Sequence, residues 1–254
     1  MKRLIYIFLT AFFALLTPAM AHASALGDCS QQIKYGAPSH DGHLLCRLAY
    51  VLSYNTAHRT PDWVAYHLTT KEIHGNFLRT KDFQPDPELS ADDRAVISDY
   101  RGSGYVPGQL VPAKDMIWNA RAIDESYLLS SVVPLNPGMA HGIWQTLQQK
   151  VRDWVQARGE LYIVTGPIYD GSPKTIGANH LAVPTACYEV VFDPVQVSAI
   201  AFIIPNRTEN PQNLPDFITS IRTVEKRTGL DFLPLLNDGV KMLVASNPSP
   251  FWLH

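Results

Sequence analysis

Six basic side chains lie within or beside one loop-rich stretch of the chain, residues 69–115. Guanidinium and ammonium groups bind phosphate through charge-assisted hydrogen bonds, so this stretch could form a phosphate-binding surface. The six residues are Arg79, Lys81, Arg94, Arg101, Lys114 and Arg121. Acidic side chains are interspersed among them, namely Asp82, Asp86, Glu88, Asp92, Asp93 and Asp99. The basic residues therefore form a binding site only if the fold brings them together, and otherwise belong to a solvated surface.

The histidines and cysteines show none of the spacings typical of zinc sites. The nine histidines include no His-x₃-His pair, and no pair of cysteines has zinc-ligand spacing. Cys29 and Cys46 flank a polar stretch, and we predict a disulfide between them that contributes about 3 kcal/mol to the free energy of unfolding. Cys187 lies in an apolar run and is predicted to be a buried, unreactive thiol.

The N-terminus has the pattern of a secretory signal. Basic residues at positions 2 and 3 precede an apolar run from Leu4 to Leu16, and small residues follow at Ala21 and Ala23. We therefore expect residues 1–23 to be cleaved and the protein to be secreted or periplasmic, in an oxidising compartment that favours disulfides. The apolar run is short for a membrane span and no later stretch is longer, so we expect no stable membrane insertion.

Composition favours one folded domain over residues 24–254. The chain has 254 residues, a formal net charge of −2, 46% hydrophobic residues and 17% charged residues. Disordered segments and basic nucleic-acid arms need low hydrophobicity or runs of like charge, so both classes are excluded. No internal repeat or low-complexity linker divides the chain.

Strand and helix patterns are mixed along the chain. Ile143, Leu147, Val151 and Val155 recur at helical spacing before Gly159, which predicts a helix that ends at this glycine. A second helix is predicted from a cap at Asp216 to a stop at Gly229, and a third over residues 235–246. Apolar alternation or β-branched runs predict strands over Asp62–Leu68, Leu161–Thr165, Val183–Phe192 and Ala199–Ile204.

Three stretches, taken in order, resemble the DNA/RNA non-specific endonucleases that have a ββα-metal active site. They are Asp99–Met116, Tyr127–Trp144 and Val164–Pro184. Arg47–Tyr50, Trp63–Leu68 and Glu225–Leu230 fit the same family, so the resemblance covers essentially the whole mature chain. It implies an α+β fold with a central, mostly antiparallel sheet, flanking helices and a ββα-metal finger-like active-site region.

The resemblance also implies a reaction, the hydrolysis of phosphodiester bonds in DNA and RNA. In this family a histidine in an Asp-Arg-Gly-His motif deprotonates water, and an asparagine on the following helix holds a divalent cation. Mg²⁺ or Mn²⁺ is therefore the implied cofactor, and the cation neutralises the scissile phosphate. Arginines hold the phosphate, and a glutamate on the helix binds the water shell of the metal.

This sequence departs from the family at nearly every one of those positions. Val106-Pro107-Gly108-Gln109 stands where Asp-Arg-Gly-His is expected, so only Gly108 matches. Gln109 takes the place of the base, and an amide cannot accept a proton near neutral pH. Loss of a general base typically lowers the rate by about 10²- to 10⁴-fold.

The helix that follows lacks the metal-binding residue types. Ala140 occupies the place of the asparagine, before His141-Gly142-Ile143-Trp144, and Gln148 occupies the acidic position. Ser131 replaces an earlier structural asparagine of the motif. The standard mechanism of the family therefore cannot operate with these residues.

Two functions remain open, and the first is an endonuclease with an altered active site. Gln109 would orient the attacking water, as a glutamine does in GTPases. His141 would act as a base or metal ligand and Asn136 as a second ligand. Arg79, the arginine that best matches the phosphate side of the family site, would act with Arg101 and Lys114 on the phosphate. Asp115 and His180 are further candidates for a catalytic role.

The second function is a catalytically inactive protein on a nuclease scaffold, which binds nucleic acid or another partner. Fold alone does not establish activity. Each candidate also has a structural interpretation that needs no chemistry. His141 would then face solvent at the start of a helix, Asp115 would be a turn carboxylate, and Asn136 before Pro137 would form a turn.

Overall fold

The structure is a computed structural model that describes residues 29–78, 82–246 and 252. The predicted signal segment 1–23 lies outside the described residues, and so do Arg79 and Lys81. The predictions made for these positions therefore stay predictions.

Within the described residues the chain forms eleven β-strands and five α-helices. The strands are β1 (His43–Cys46), β2 (Tyr50–Asn55), β3 (Thr60–Thr69), β4 (Val106–Gln109), β5 (Val132–Leu135), β6 (Glu160–Ile168), β7 (Thr175–Ile176), β8 (Leu181–Ala182), β9 (Ala186–Asp193), β10 (Ser198–Pro205) and β11 (Ile218–Thr219). The helices are α1 (Ala120–Glu125), α2 (Pro137–Ala140), α3 (Ile143–Arg158), α4 (Ile221–Thr228) and α5 (Asp238–Ser246). None of these helices is both long enough and apolar enough to cross a membrane.

Seven strands form the central sheet in the order β1-β2-β3-β6-β9-β10-β11, and every neighbouring pair is antiparallel. The α+β class and the central antiparallel sheet are therefore confirmed. Alternate residues of each strand point to opposite faces of the sheet. Both faces carry buried apolar side chains, which form two separate core clusters. On β3, Val64 packs in the core beneath α3 while Trp63 packs in the core beneath α4 and α5.

The helix predicted from Ile143 is α3, and its four periodic residues are buried against the sheet. It ends at Gly159, which has the positive φ of 95° that favours glycine. The third predicted helix corresponds to α5, which begins only at Asp238. It begins there because the Asn237 side chain accepts a hydrogen bond from the Gly239 N–H.

The start predicted for the second helix was wrong. Residues 211–217 form a 3-10 helix that contains Pro215, and the next two residues pair with β10 as β11. Helix α4 therefore begins at Ile221, where the Ser220 side chain accepts a hydrogen bond from the Thr223 N–H. Its predicted end is confirmed, because Gly229 adopts the left-handed conformation at φ 74°.

The disulfide between Cys29 and Cys46 is present, and the two Cα atoms lie 5.9 Å apart. The bridge joins the first described residue to strand β1 at the edge of the sheet. Cys187 is fully buried in β9, and this burial raises the pKa of its thiol. A buried thiol with a raised pKa is a poor nucleophile, as predicted for this residue.

Candidate functional site

Strands β4 and β5 pair antiparallel, and Gln109 lies opposite Val132 at the end of β4. The chain leaves β5 through the short helix α2 and enters α3. Two side chains from the first turns of α3 donate hydrogen bonds to the backbone carbonyl of Gln109. These are Trp144 Nε1 at 3.2 Å and Gln148 Nε2 at 3.1 Å. The end of β4 is thereby fixed against α3, and the two strands and one helix form a single unit.

Gly108 has a packing reason to be glycine. A Cβ atom added at this position would collide with the side chain of Leu135 on β5. The glycine lets the two strands approach closely beside Gln109. The one residue that matches the family motif is therefore explained by packing.

The Gln109 side chain is half-buried and held in a fixed orientation. Its Nε2 donates a hydrogen bond of 2.8 Å to the backbone carbonyl of Ser126, a buried residue at the end of α1. No described residue donates to the Gln109 Oε1 atom, so this oxygen remains available as an acceptor. An amide oxygen can accept a hydrogen bond from water but does not take its proton.

The two candidate metal ligands, Asn136 and His141, lie at the two ends of helix α2. The Asn136 Oδ1 atom accepts hydrogen bonds from Gly138 N at 2.9 Å, Met139 N at 3.3 Å and Thr208 Oγ1 at 3.1 Å. These donors use the oxygen that would bind a cation, and Asn136 instead caps α2. His141 is exposed at the end of α2, and its ring makes no hydrogen bond to a described residue.

A resident divalent cation does not fit the residues of this site. Ala140 offers no oxygen or nitrogen ligand, and Gln148, at the acidic position, carries a neutral amide whose Nε2 donates to the Gln109 carbonyl. Hard cations prefer carboxylate oxygens, and the unit presents none at the positions of the family ligands. In the part of the chain that the structure describes, no group of three or more His, Cys, Asp or Glu side chains could hold a metal ion.

Three acidic residues of the loop-rich stretch, Asp86, Glu88 and Asp99, make structural contacts. Asp86 is buried and pairs with Arg47 at 2.5 Å, and Glu88 pairs with the same guanidinium. The buried Asp99 carboxylate accepts hydrogen bonds from Val96 N at 3.0 Å and from the Asn179 side chain at 3.0 Å. The Arg47 guanidinium therefore offsets part of the negative charge that the sequence placed among the basic residues.

Three basic residues of the stretch remain without an ion pair to any described residue. Arg101 and Lys114 are exposed, and Arg94 is half-buried with an Nε atom that has no partner among the described residues. Arg121 differs, because its Nε lies 2.6 Å from a Glu125 oxygen. Unpaired cations keep their full charge for an anionic ligand, so these three are the better phosphate candidates.

Lys174 is a cation that the sequence did not single out. Its Nζ lies 5.0 Å from the centre of the Tyr105 ring, and Tyr105 immediately precedes β4. The two residues are 69 positions apart, so no local pattern could have predicted the contact. His180, by contrast, sits with a positive φ of 56° in the turn between β7 and β8.

Asp115 makes a structural contact. It is fully buried at the end of a 3-10 helix, Ala113–Asp115, and its Oδ1 lies 2.8 Å from Arg152 Nη1 on α3. Burial raises the pKa of Asp115 to about 6, although the Arg152 guanidinium opposes this shift. The pair attaches the segment after β4 to α3, two turns beyond Trp144. The sequence analysis missed Arg152, because Asp153 is also charged and lies between the same buried positions, Val151 and Val155, yet is exposed.

Comparisons with known proteins agree with the fold. The sequence model described as DNA/RNA non-specific endonuclease matches residues 29–239. The chain is 32% identical over 232 residues to mitochondrial endonuclease G of Bos taurus, covering 85% of this chain and 77% of that protein. It is 33% identical over 220 residues to the mitochondrial nuclease EXOG of Danio rerio, covering 80% of this chain and 64% of that protein.

A solved structure is similar over most of the chain. It is the crystal structure of the EndoG/EndoGI complex, which addresses the mechanism of EndoG inhibition. The TM-score is 0.78 at 29% identity, and the match covers 83% of this chain and 93% of that chain.

Proposed function

The chain belongs to the DNA/RNA non-specific endonuclease family, and from this membership we propose that it acts on phosphodiester bonds through an altered active site. Homology to this family supports an endonuclease function on nucleic acids. The finer proposal concerns how the site works with Gln109 in the position of the base. The observation that supports it is the fixed Gln109 amide, whose oxygen has no donor among the described residues.

Gln109 orients the attacking water in this proposal and does not deprotonate it. The Ser126 carbonyl accepts a hydrogen bond from the amide N–H of Gln109, so the Oε1 atom is the one that accepts a hydrogen bond from the attacking water. Orientation lowers the barrier by holding the nucleophile in line, and the proton of the attacking water passes to bulk water because no protein base accepts it. Arg94, Arg101 and Lys114 contribute positive charge for the phosphate. The resulting enzyme is slow by the standard of its family.

A second function, binding without cleavage, is favoured by a specific observation. Position 140 carries a methyl group, and the Asn136 oxygen is fully engaged in capping α2. A protein with these features can retain its phosphate-binding cations and lose hydrolysis. Its ligand is then nucleic acid held through the backbone, with affinity that depends strongly on salt.

Cleavage assays distinguish the two functions. Purified mature protein is incubated with supercoiled plasmid and with RNA, with Mg²⁺, with Mn²⁺ and with EDTA. We expect slow nicking that Gln109→Ala lowers by at least about tenfold, since the water loses its orienting acceptor. Gln145→Ala is the matched control, because Gln145 is an exposed glutamine on α3 that makes no hydrogen bond to a described residue.

The assay has three decisive outcomes. Nicking that depends on Gln109 supports the altered enzyme. Absence of cleavage together with salt-sensitive binding of DNA or RNA supports the second function. A protein that neither cleaves nor binds nucleic acid overturns both.

The unpaired cations give a graded prediction about binding. Arg101→Ala and Lys114→Ala are each expected to weaken nucleic-acid binding and to lower the slope of log K against log[salt] by about 1. Arg121→Ala is the control, since its guanidinium already pairs with Glu125. Fluorescence anisotropy of a labelled oligonucleotide at several salt concentrations measures the slopes. Equal slopes for all three variants would contradict the assignment of Arg101 and Lys114 as phosphate-binding residues.

We also propose that the protein is exported, with residues 1–23 removed as a signal. The Cys29–Cys46 disulfide supports this proposal, because such bridges persist in oxidising compartments. N-terminal sequencing of the mature protein tests it. A mature protein that keeps Met1 or the apolar run would overturn it.

A further inference from the structure

A buried group of charged side chains lies between the β4–α3 attachment and the central sheet. Asp115 has no exposed surface and pairs with Arg152 on α3 at 2.8 Å. The Tyr66 hydroxyl on β3 lies 3.5 Å from the other Asp115 oxygen. Arg152 also donates to Gln149 Oε1, at 3.0 Å from Nη2. These contacts attach the segment after β4 to the helix and to the sheet below it.

Glu189 reaches the same group from β9 and is the unusual member. The residue is 1% exposed, and both carboxyl oxygens are buried with no hydrogen-bond partner among the described residues. An ionised carboxylate in such a place is strongly disfavoured, because it loses its hydration and gains no partner. Arg152, the cation that acts on both Asp115 and Glu189, is already hydrogen-bonded to Asp115.

We propose that Glu189 is a positioning residue. Its carboxyl group stays protonated in the core, so that Arg152 forms its ion pair with Asp115 alone. Two carboxyls face one guanidinium, so one of them must be neutral for the group to balance its charge. Asp115 has the ion pair and Glu189 has no partner, so the proton belongs on Glu189. Loss of that proton places a second negative charge beside the pair and weakens the attachment of β4 to α3.

Of the charged groups that act on Glu189, Asp115 favours the protonated carboxyl and Arg152 opposes it, with burial as the largest effect. Glu189 in turn acts as a like charge on Tyr66 of β3 and on Cys187 of its own strand. Lys114 acts on Asp115 but is exposed to solvent. Burial, and to a smaller extent the negative charge of Asp115, raise the pKa of Glu189 from 4.5 to about 8.

The sign of the pH dependence follows from this shift. An acid whose pKa is raised on folding binds more protons in the folded state, so stability falls as pH rises. The contribution of protonated Glu189 to the free energy of unfolding is complete below about pH 4.5 and is lost as the pH rises through about 8. Asp115 adds a smaller effect in the same direction, with its pKa raised to about 6.

The consequence for nucleic acids rests on the proposed function. Arg152 lies one helical turn beyond Gln148, which donates to the Gln109 carbonyl together with Trp144. A weakened Asp115–Arg152 pair therefore loosens the helix turns that hold Gln109. We expect activity or binding at this site to decline above about pH 8 in the natural protein and to persist in Glu189→Gln.

The decisive experiment measures the thermal unfolding midpoint of the mature protein from pH 5 to pH 9. Glu189→Gln keeps the size of the side chain and cannot ionise, so its midpoint should match the natural protein at pH 5. At pH 9 it should be higher by roughly 5 °C or more. Asp153→Asn is the control, because Asp153 is an exposed acid next to Arg152 on the same helix, and it should follow the natural protein. Equal pH dependence in Glu189→Gln and the natural protein would overturn the proposal.

A second measurement needs no variant and covers the case in which Glu189→Gln does not fold. Carboxyl-carbon NMR of protein labelled at glutamate should show one resonance that titrates near pH 8, far above the other glutamates. If every glutamate titrates below about pH 6, the proposal is wrong. Neither measurement uses nucleic acid, so the two proposals can fail separately. If Glu189 holds its proton but the protein neither binds nor cleaves DNA or RNA, only the proposed function is overturned.

Discussion

The double variant Gln109→His with Ala140→Asn is expected to cleave DNA and RNA about 10²- to 10⁴-fold faster than the natural chain, the range that a general base contributes. The scaffold suits the histidine. Gln109 Nε2 donates a hydrogen bond of 2.8 Å to the Ser126 carbonyl. The Nδ1–H of a histidine at this position can donate to the same oxygen. That hydrogen bond fixes the tautomer and leaves Nε2 free to accept a proton from water.

The second change restores the other missing residue type. Ala140 ends α2 and is followed closely by Trp144 and Gln148, whose side chains meet the Gln109 carbonyl. An asparagine there offers an amide oxygen, which is a ligand type that Mg²⁺ accepts. The activity of the double variant should therefore disappear with EDTA.

The single variants are the controls for this result. Gln109→His alone should gain little, because position 140 still has no ligand, and Ala140→Asn alone should gain little, because position 109 still has no base. Plasmid nicking at matched protein concentration, with thermal unfolding to verify folding, measures all three. A folded double variant with no more activity than the natural chain would show that other departures, such as Pro107 in place of the motif arginine, dominate the loss.

Much of the fold follows from the sequence because its determinants are local. The buried positions of α3 recur at helical spacing, and the runs over residues 161–165 and 199–204 are apolar and β-branched, as in β6 and β10. The predicted cap at Asp216 failed for a tertiary reason. The two residues after the 3-10 helix pair with β10, so the helix can begin only at Ile221.

The candidate site was less predictable, because its contacts join residues far apart in the chain. The resemblance placed Gln109 at the end of a strand and Ala140 on the helix that follows. The structure has Gln109 at the end of β4 and Ala140 at the end of the short helix α2, before α3. The resemblance gave no indication that Ser126 would hold the Gln109 amide, or that Arg47 would neutralise Asp86. Glu189 was visible only as a charge inside an apolar run, and its lack of partners depends on four separate elements meeting in the core.

Replacing Arg152 by leucine is expected to lower the free energy of unfolding by about 3–5 kcal/mol at pH 7.5, the usual loss when one partner of a buried ion pair is removed. The change leaves the Asp115 carboxylate buried beside Glu189, with the Tyr66 hydroxyl as its remaining neighbour at 3.5 Å. The loss comes from an uncompensated buried charge more than from lost packing, since leucine keeps most of the apolar stem. Urea unfolding, followed by circular dichroism, measures it.

The same reasoning predicts how that loss depends on pH. At pH 5 both carboxyls in the variant take up protons, because removing the guanidinium removes the group that lowers their pKa values. Neutral acids are tolerated better in the core, so the loss at pH 5 should be less than half of the loss at pH 7.5. Arg121→Leu is the control, since its exposed pair with Glu125 should contribute less than about 1 kcal/mol at either pH. A loss of equal size at both pH values would mean that Arg152 acts by packing alone, and that the buried carboxyls do not govern the stability of the β4–α3 attachment.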